Sequence, residues 1–405
     1  MDQLSPTTTK TINQILKNKI CCGCGACYAV CPTSAITLNY GDRFNFPSID
    51  KSKCSCCGRC LYVCSSAFLL QGIKPDIAYQ ITSDAATTYL IHVSDESLRK
   101  NCSSGGFITG LFLFLLERKK IDGCIVARCE GKTPLIAETI IAGSREDILS
   151  ACGSKYAPVS NCTILKDLKN RPGRYAIIGT PCMLESAVKL EKQLPWLRQK
   201  IALKVGFVCA GMASRLSTKR YIEKHGHINA ADARKICYRG NGWPGRFRVF
   251  GENNVLLMDK PYLGGSLQNV VAKDHYLRCN NCLDHWSHFA DIVVSDPWCE
   301  EMIKSEKLGW SAVMIRNRTG MDAVQTAIES NYFVARSITV QEMVGYNKDL
   351  VISDNHSRHC WMIAYQLLIM RRIGFVVPLI KKLLMGQRFG IIATIRAFAT
   401  RRYYF

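Results

Sequence analysis

Cysteine is the residue whose number and spacing in this sequence point most directly to chemistry. Two runs near the amino terminus share one spacing, Cys21-x-x-Cys24-x-x-Cys27-x-x-x-Cys31-Pro32 and Cys54-x-x-Cys57-x-x-Cys60-x-x-x-Cys64. Thiolates two or three residues apart on a tight loop point toward one centre, so the spacing predicts metal binding. Gly23, Gly25 and Gly58 lie inside these loops and permit the turns that the loops need.

The two runs have the spacing of the bacterial ferredoxin motif, in which the fourth thiolate of each run reaches the other cluster. If the fourth cysteine of each run binds the cluster of the other run, the sequence predicts two [4Fe-4S] clusters. Their ligands are Cys21, Cys24, Cys27 and Cys64 for one cluster and Cys54, Cys57, Cys60 and Cys31 for the other. Zinc is the alternative, because paired Cys-x-x-Cys motifs also bind it. Ser65 stands where a proline usually follows the last ligand, and the spacing leaves Cys22 and Cys56 as neighbours that do not ligate.

Four later cysteines form a second candidate set. Cys182 and Cys209 follow predicted strands, and Cys279-x-x-Cys282 adds a close pair. The carboxyl ends of strands are where open α/β sheets gather their chemistry, so this set predicts a third cubic cluster. Simple burial is the alternative, because isolated cysteines are among the most buried residues. The cysteines without partner spacing are predicted to pack: Cys102, Cys124, Cys129, Cys152, Cys162, Cys237, Cys299 and Cys360.

The segment Ser103-Ser104-Gly105-Gly106 precedes an apolar helix predicted over 107–119. Hydroxyls and backbone amides at a helix amino terminus suit a pyrophosphate, although an ordinary helix cap is the alternative. Clusters move electrons singly and need a cofactor that pairs them for two-electron chemistry, which a flavin does. The segment is therefore a candidate flavin-binding site.

Basic and aromatic residues elsewhere are candidates for catalysis or ligand binding. Lys155 and Tyr156 are candidate catalytic residues that place a cation and a ring against flavin or substrate phosphate; an exposed lysine and a packed tyrosine are the alternative. A Gly-rich turn is surrounded by Arg239, Arg246 and Arg248. These arginines are candidates to bind an acidic ligand by bidentate pairing, and exposure to solvent is the alternative.

The elements that must position these residues follow an α/β pattern from about residue 89. Apolar runs predict strands over 121–128, 174–179, 201–209 and 292–295, and helical periodicity predicts helices over 107–119, 183–194 and 214–225. The predicted fold class is α/β, or α+β overall. The predicted domains are a ferredoxin-type domain (1–75), an α/β core with flavin and a cluster (85–345), and a basic helical tail (346–405).

Composition excludes several classes of protein. The chain of 405 residues is 48% hydrophobic and 21% charged, which is too apolar for a disordered protein. Its formal net charge is +21, but no zinc-finger, helix-turn-helix or RNA-binding signature accompanies that charge, so no nucleic-acid partner is predicted. The first residues lack the features of a signal peptide, so a reducing, cytoplasmic compartment is expected.

The carboxyl-terminal tail is strongly basic. Residues 355–405 contain nine Lys or Arg and no Asp or Glu, and apolar residues such as Phe375, Leu379 and Leu383 recur near helical spacing. The pattern fits peripheral membrane contact by an interfacial helix, with core-packed helices as the alternative. A soluble location is the expectation.

The order of the motifs over roughly residues 20–320 resembles that of a known family, the β subunit of coenzyme F420-reducing hydrogenase and its relatives. The motifs are the double cysteine run, Cys102-Ser103-Ser104-Gly105-Gly106, Gly153-Ser154-Lys155-Tyr156, Gly179-Thr180-Pro181-Cys182, Cys209-Ala210-Gly211, Gly240-Asn241-Gly242-Trp243, Leu277-Arg278-Cys279-Asn280-Asn281-Cys282, Ala290-Asp291-Ile292 and Asp296-Pro297-Trp298. The resemblance implies FAD in the core and a [4Fe-4S] cluster on Cys182, Cys209, Cys279 and Cys282. Candidate FAD contacts are Ser103, Ser104, Gly105, Gly106, Gly179 and Thr180.

The sequence therefore predicts an iron-sulfur flavoprotein oxidoreductase. Its expected partners are a one-electron donor, ferredoxin or another redox protein, and a small-molecule acceptor such as coenzyme F420. Ala210, Met183 and Ser295 depart from residues common in the family, which leaves the acceptor open. The alternatives are a non-catalytic electron-transfer subunit, a reductase in polysaccharide biosynthesis and a redox sensor.

Overall fold

A computed structural model describes residues 11–71, 86–264, 267, 274–282, 284–348 and 350. Nearly all of the predicted basic tail, including Cys360, lies outside these residues. In the described residues, no helix has the length and hydropathy needed to cross a membrane.

The amino-terminal module, residues 11–71, is built from two similar halves. Its elements are α1 (Asn13–Lys17), α2 (Ala26–Val30), β1 (Ile36–Tyr40), β2 (Asn45–Ile49), α3 (Arg59–Tyr62) and α4 (Phe68–Gln71). Strands β1 and β2 form an antiparallel pair. Gly25 and Gly58 occupy the same place in the two halves, before α2 and α3, with φ of 84° and 74°. A side chain would strain this left-handed conformation, which explains glycine at both positions.

The α/β body, residues 86–350, is organised around an eight-stranded mixed sheet. Its strands are β3 (Thr87–Val93), β4 (Gly123–Arg128), β5 (Glu138–Ala142), β6 (Tyr175–Gly179), β7 (Ile201–Phe207), β11 (Ile292–Ser295), β12 (Ser311–Ile315) and β13 (Phe333–Ser337). Their order is β13-β3-β12-β11-β7-β6-β4-β5. Strands β4, β6, β7 and β11 are parallel, with antiparallel strands on both sides.

Parallel pairing brings the carboxyl ends of β6, β7 and β11 to one edge of the sheet. Every residue of β6 is buried, as expected for a central strand covered on both faces. The segments that follow these three strands begin with Thr180, Val208 and Asp296. Open α/β sheets bind ligands at this edge, so the topology predicts where the site lies.

Helices cover the sheet, and a smaller sheet lies beside it. The helices of the body are α5 (Glu96–Asn101), α6 (Phe107–Glu117), α7 (Arg145–Ser150), α8 (Pro181–Gln193), α9 (Pro195–Lys200), α10 (Arg215–Gly226), α11 (Glu300–Ser305), α12 (Arg318–Glu329) and α13 (Val340–Gly345). The 3-10 segments are Thr163–Asn170, Ala230–Asp232, Glu252–Asn254 and Leu277–Asn281. Strands β8 (Lys235–Cys237), β9 (Arg246–Phe250) and β10 (Leu256–Pro261) form an antiparallel three-stranded sheet.

The amino-terminal module packs directly onto the body. The Cys162 amide donates to the carbonyl of Cys24 at 3.0 Å, and the Ser160 hydroxyl donates to the carbonyl of Gly23 at 2.6 Å. The buried Tyr276 ring lies 4.2 Å from that of Phe44, between centroids. One continuous set of buried side chains therefore spans the module and the body.

The predicted α/β class is confirmed, and the predicted elements appear with small shifts at their ends. Helix α8 begins at Pro181, because proline is well suited to the first helical turn. Strand β7 ends at Phe207, and two residues beyond it the Cys209 amide donates to the carbonyl of His285. The division into domains at residues 75 and 345 stays a prediction.

A largely buried ion pair joins the segments that follow β8 and β11. Arg239 is 2% exposed and donates to both carboxylate oxygens of Asp296 at 2.7 and 3.0 Å. The Trp243 indole donates to the same carboxylate at 2.9 Å. The guanidinium of Arg239 is therefore neither solvated nor available to bind an acidic ligand, because it already binds the Asp296 carboxylate.

We expect Arg239→Met to lower the free energy of unfolding by about 3–5 kcal/mol, because it leaves the Asp296 carboxylate buried without its cation. The urea midpoint of anaerobic protein, followed by circular dichroism, measures the change. Arg318→Met is the control, since its pair with Asp322 is widely exposed, and it should barely move the midpoint. Equal midpoints for the two variants would contradict this account.

Candidate functional site

All four cysteines of the first predicted cluster set, Cys21, Cys24, Cys27 and Cys64, are buried. The structure brings Cys21, Cys27 and Cys64 close enough to influence one another's charge, whereas the thiol of Cys24 interacts with Cys162 and Cys22. Burial, followed by the charge of Cys64, raises the pKa of Cys27, and burial raises the pKa of Cys64 to about 12. Backbone amides of Gly23 and Ser66 donate to the sulfurs of Cys21 and Cys64 at 3.3 and 3.4 Å. Amides turned toward sulfur are what the tight cluster loops require.

The second predicted set surrounds a separate cavity near the surface. Cys31, Cys54, Cys57 and Cys60 line this cavity. Cys57 is exposed and Cys60 is buried, so the set spans the boundary between solvent and core. Cys56 also lines the cavity, with a left-handed φ of 53°.

The third predicted set lines one cavity at the carboxyl edge of the sheet. Cys182 follows β6, Cys209 follows β7, and Cys279 and Cys282 lie on and after a 3-10 turn. Burial raises the pKa of Cys209, and it raises that of Cys279 to about 12. Arg278, only 4% exposed, lines the same cavity.

The donor chemistry of these three groups fits iron-sulfur clusters. In the first and third groups, buried thiols such as those of Cys64 and Cys279, whose pKa burial raises to about 12, need a bound cation to hold them as thiolates, and metal binding supplies it. In the described residues, no three His, Cys, Asp or Glu side chains converge on a position for a single metal ion. The cysteines of each group are therefore assigned to one another because they line the same cavity or because their thiols influence one another's charge.

Cys22 lies between the first and third groups. Hydrogen bonds from Cys182 and Cys24 lower the pKa of its thiol. Its sulfur also lies 3.8 Å from the hydroxyl of Ser65, the residue that replaces the usual proline. Spacing predicts that Cys22 is no ligand, but no feature of the sequence indicates this bridging position, because Cys182 is distant along the chain.

A larger cavity of about 520 Å³ adjoins the third cysteine group. This volume lies within the usual range for small-molecule and cofactor sites. Thr180, Cys209, Gly211 and Met212 line both cavities. The two cavities are thus separated only by shared side chains and backbone.

Most of the predicted cofactor residues line this larger cavity. They are Ser103, Ser104, Gly106, Gly179 and Thr180, together with Lys155 and Tyr156. Gly105 does not line it: a Cβ there would lie 2.5 Å from the carbonyl oxygen of Ile91 and 2.7 Å from the amide nitrogen of Ser311. Gly105 is therefore required for close packing against β3 and β12.

The amino termini of α6 and α8 both reach this cavity, at Gly106 and Thr180. Unpaired amides and the helix dipole make such termini suitable for phosphate groups. Apolar side chains, among them Phe107, Ile178 and Phe207, supply much of the remaining wall. A flavin dinucleotide, with an apolar ring system and a pyrophosphate, fits this combination.

Lys155 and Tyr156 have defined partners in the cavity wall. The Lys155 ammonium donates to the carbonyls of Ala151, Cys152 and Gly153 beyond the end of α7, and burial lowers its pKa. Its three hydrogens thus have acceptors within the protein. The Tyr156 hydroxyl accepts a hydrogen bond from Tyr262 at 3.0 Å.

An aromatic wall of Tyr156, Tyr262 and Trp298 lies on one side of the cavity. Tyr262 stacks on Tyr156 with centroids 5.9 Å apart and on Trp298 at 6.2 Å. The Arg239 guanidinium lies 4.8 Å from the centroid of the Tyr262 ring. Sequence analysis singles out Tyr156 as a candidate ring and includes Trp298 in a motif, but it missed Tyr262 and the stacking that joins the three rings.

Two models of one protein family, "Coenzyme F420 hydrogenase/dehydrogenase, beta subunit", match this chain. The model of the family's amino-terminal part matches residues 88–166, and the model of its carboxyl-terminal part matches residues 173–341. The matched ranges contain the third cysteine group and the residues named above for the larger cavity.

Individual relatives agree with the family models. One subunit of the F(420)H(2) dehydrogenase of Methanosarcina mazei is 24% identical over 315 residues, 76% of this chain and 82% of the relative. Coenzyme F420 hydrogenase subunit beta of Methanosarcina barkeri is 26% identical over 254 residues, 60% of this chain and 79% of the relative. Coenzyme F420-dependent sulfite reductase of Methanocaldococcus jannaschii is 23% identical over 334 residues, 78% of this chain and 47% of the relative.

A solved structure has the same fold. One chain of the F420-reducing [NiFe] hydrogenase complex from Methanosarcina barkeri, in a xenon-derivatised crystal, superposes with a TM-score of 0.52 at 25% identity. The match covers 66% of this chain and 89% of that chain.

We expect Cys57→Ala to remove one cubic cluster, and thus about four irons, from anaerobically reconstituted protein. Cys56→Ala should retain all the iron, because spacing assigns the ligand role to Cys57. Both cysteines are exposed and line the same cavity, which makes the pair a matched comparison. Iron content per chain and electron paramagnetic resonance of the reduced protein measure the loss. The reverse pattern would transfer the ligand role to Cys56.

Proposed function

Because this chain belongs to the family of coenzyme F420 hydrogenase/dehydrogenase beta subunits, we propose that it is an iron-sulfur flavoprotein oxidoreductase. In this proposal, electrons pass between a one-electron donor, such as ferredoxin or another redox protein, and FAD through three [4Fe-4S] clusters. Hydride exchange then links FAD to coenzyme F420 or another organic acceptor. The direction of flow depends on the donor and acceptor.

The observation that carries the proposal is an unbroken series of cysteine groups from the surface to the larger cavity. Exposed Cys57 belongs to the second group, and its buried companion Cys60 lies close enough to Cys27 of the first group to influence its charge. Cys22 then contacts Cys182 of the third group, and Cys209 borders the cavity itself. Each group thus adjoins the next.

The residues of the chain would hold the cofactors in this order. Bound clusters supply single-electron transfer, and bound FAD supplies the pairing of electrons that hydride exchange requires. Ser103, Ser104 and Thr180, with the amides of α6 and α8, would bind the pyrophosphate. Tyr156, stacked on Tyr262, would orient a ring in the cavity and offer a hydroxyl beside it.

Relatives support an F420-linked acceptor. The names of the matched proteins include a hydrogenase, a dehydrogenase and a sulfite reductase, all connected with coenzyme F420. These names share coenzyme F420 and differ in the rest of the activity that they state. We therefore propose coenzyme F420 as the first acceptor to test.

The test is anaerobic reconstitution followed by reduction with reduced coenzyme F420. About twelve irons and one releasable FAD per chain are expected, and the flavin absorbance should bleach when reduced F420 is added. The cluster absorbance should fall in the same experiment. Eight irons with no bound flavin would overturn both the third cluster and the flavin site.

We expect Cys209→Ala to separate the two halves of the pathway. The loss of one ligand disrupts the third cluster, so reduced F420 should still bleach the flavin, but reduction of the amino-terminal clusters should slow at least tenfold in stopped-flow absorbance. Cys299→Ala is the control, because Cys299 is also partly exposed but lies outside the cavities. Unchanged cluster reduction in Cys209→Ala would exclude the third group as the relay.

The second candidate function is an electron-transfer subunit that works only with a catalytic partner. It is favoured by the matched relatives named as subunits and by the structural match within a hydrogenase complex. Turnover of F420 with an artificial one-electron acceptor, by the purified chain alone, would exclude this second candidate.

A further inference from the structure

Two cysteines outside the three cluster groups meet beside the larger cavity. Cys102 follows α5 and Cys152 follows α7, and their sulfur atoms are 3.1 Å apart. Cys102 is buried and lines the cavity, and Cys152 is partly exposed. Because Cys102 and Cys152 are 50 residues apart and neither belongs to a short-spaced metal motif, the sequence predicts only that both pack in the core.

A hydrogen bond joins the two segments that carry this pair. The hydroxyl of Ser103 accepts a hydrogen bond from the amide of Ser154 at 2.6 Å, so the residues that follow both cysteines are joined. A disulfide places its sulfurs about 2.05 Å apart, so the thiols need to approach by about 1 Å. Side-chain rotation supplies a movement of this size without unfolding either loop.

The surroundings of the two thiols give them different reactivity. A hydrogen bond from Cys102 is the main cause that lowers the pKa of Cys152 to about 7, with Thr109 and the charge of Lys155 acting in the same direction and burial opposing them. The pKa of Cys102 is raised, chiefly by its hydrogen bond to Cys152. Cys152 is thus suited to be the attacking thiolate, and Cys102 remains a protonated neighbour.

The other charged and titratable groups here also centre on Lys155. Its ammonium, held at the carbonyls of Ala151, Cys152 and Gly153, faces the thiols of Cys129 and Cys237 as well as the pair. Burial raises the pKa of Cys129 to about 12, and it also raises the pKa of Cys237. These two thiols therefore stay neutral at the pH where Cys152 ionises.

We propose that Cys102 and Cys152 form a thiol-disulfide exchange site that reacts with small-molecule disulfides. The Cys152 thiolate attacks one sulfur of the disulfide, which breaks the S–S bond, forms a mixed disulfide and releases one thiolate. The thiol of Cys102 gives its proton to the released thiolate and attacks the sulfur of Cys152, which releases the second thiolate. That thiolate takes up the proton that Cys152 lost to solvent when it ionised. The protein loses two electrons and two protons, and the small disulfide becomes two thiols.

Oxidation of this pair would act directly on the wall of the larger cavity. Ser103 and Ser104 follow Cys102, and Gly153 and Ser154 follow Cys152, and all four line the cavity. A disulfide would join the two segments covalently where a hydrogen bond joins them now. The exchange reaction itself requires neither a flavin nor a cluster, so its test is independent of the proposed function.

The test uses the full chain with its clusters in place, under anaerobic conditions, in buffers of oxidised and reduced glutathione. Free thiols are alkylated after equilibration, and peptides are mapped by mass spectrometry. A peptide pair linked through Cys102 and Cys152 is the expected product, at ratios where the iron content is unchanged. Loss of iron before this link appears, or links only between other cysteines, would overturn the proposal.

Variants identify which thiol attacks. Cys102→Ala should accumulate a glutathione adduct on Cys152, because no second thiol resolves the mixed disulfide, whereas Cys152→Ala should leave Cys102 unmodified. Cys124→Ala is the control and should form the same link as the unsubstituted protein, since Cys124 lies fully buried elsewhere in the core. An adduct on Cys102 in Cys152→Ala would contradict the assigned roles.

A second measurement does not depend on the variants. The rate of iodoacetamide alkylation at Cys152, followed by peptide mapping, should rise with pH through a midpoint near 7, because the thiolate is the reactive form. A midpoint near the ordinary cysteine value of about 8.5 would overturn the assignment of Cys152 as the attacking thiolate.

Discussion

Several thiols buried within reach of one another impose the main constraint on this structure. A thiolate loses its hydration on burial and is repelled by its neighbours, so the protein without metal holds Cys27 and Cys64, or Cys209 and Cys279, as neutral groups. Iron in the proposed clusters would remove that penalty by taking the place of the protons. Because the first group lies in the shared core of module and body, loading of such a cluster would be coupled to folding.

The sheet topology determines where the other components lie. Parallel pairing of β6, β7 and β11 aligns their carboxyl ends, so Thr180, Cys209 and Asp296 come from distant parts of the sequence to one edge. Two helices begin at the same cavity and supply amides for an anion. The same strand ends also carry Cys182 and Cys209 of the third group, so the proposed cluster and cofactor sites would lie at the same edge of the sheet.

Local spacing made part of the site predictable. Short spacing predicts which cysteines of the two amino-terminal runs share a loop, and the predicted strand ends place Cys182 and Cys209 at the edge of the sheet where they line one cavity. That these cysteines ligate clusters stays a prediction. The positions of Cys22, Cys152 and the aromatic wall depend on approaches between distant segments, which no periodicity records. Gly105 illustrates the opposite difficulty: its motif predicts ligand contact, but backbone atoms of Ile91 and Ser311 occupy the space where a side chain would lie.

Continuity of the core between module and body has a consequence for the rate of electron movement. Tyr276 and Phe44 pack across the junction, and one backbone hydrogen bond joins Cys162 to Cys24. In the proposed function, a module anchored in this way would keep fixed tunnelling distances to the sites in the body. The rate of electron transfer within the chain would then be constant, and the overall rate would be limited by encounters with a redox partner at the second cysteine group, where Cys57 is exposed.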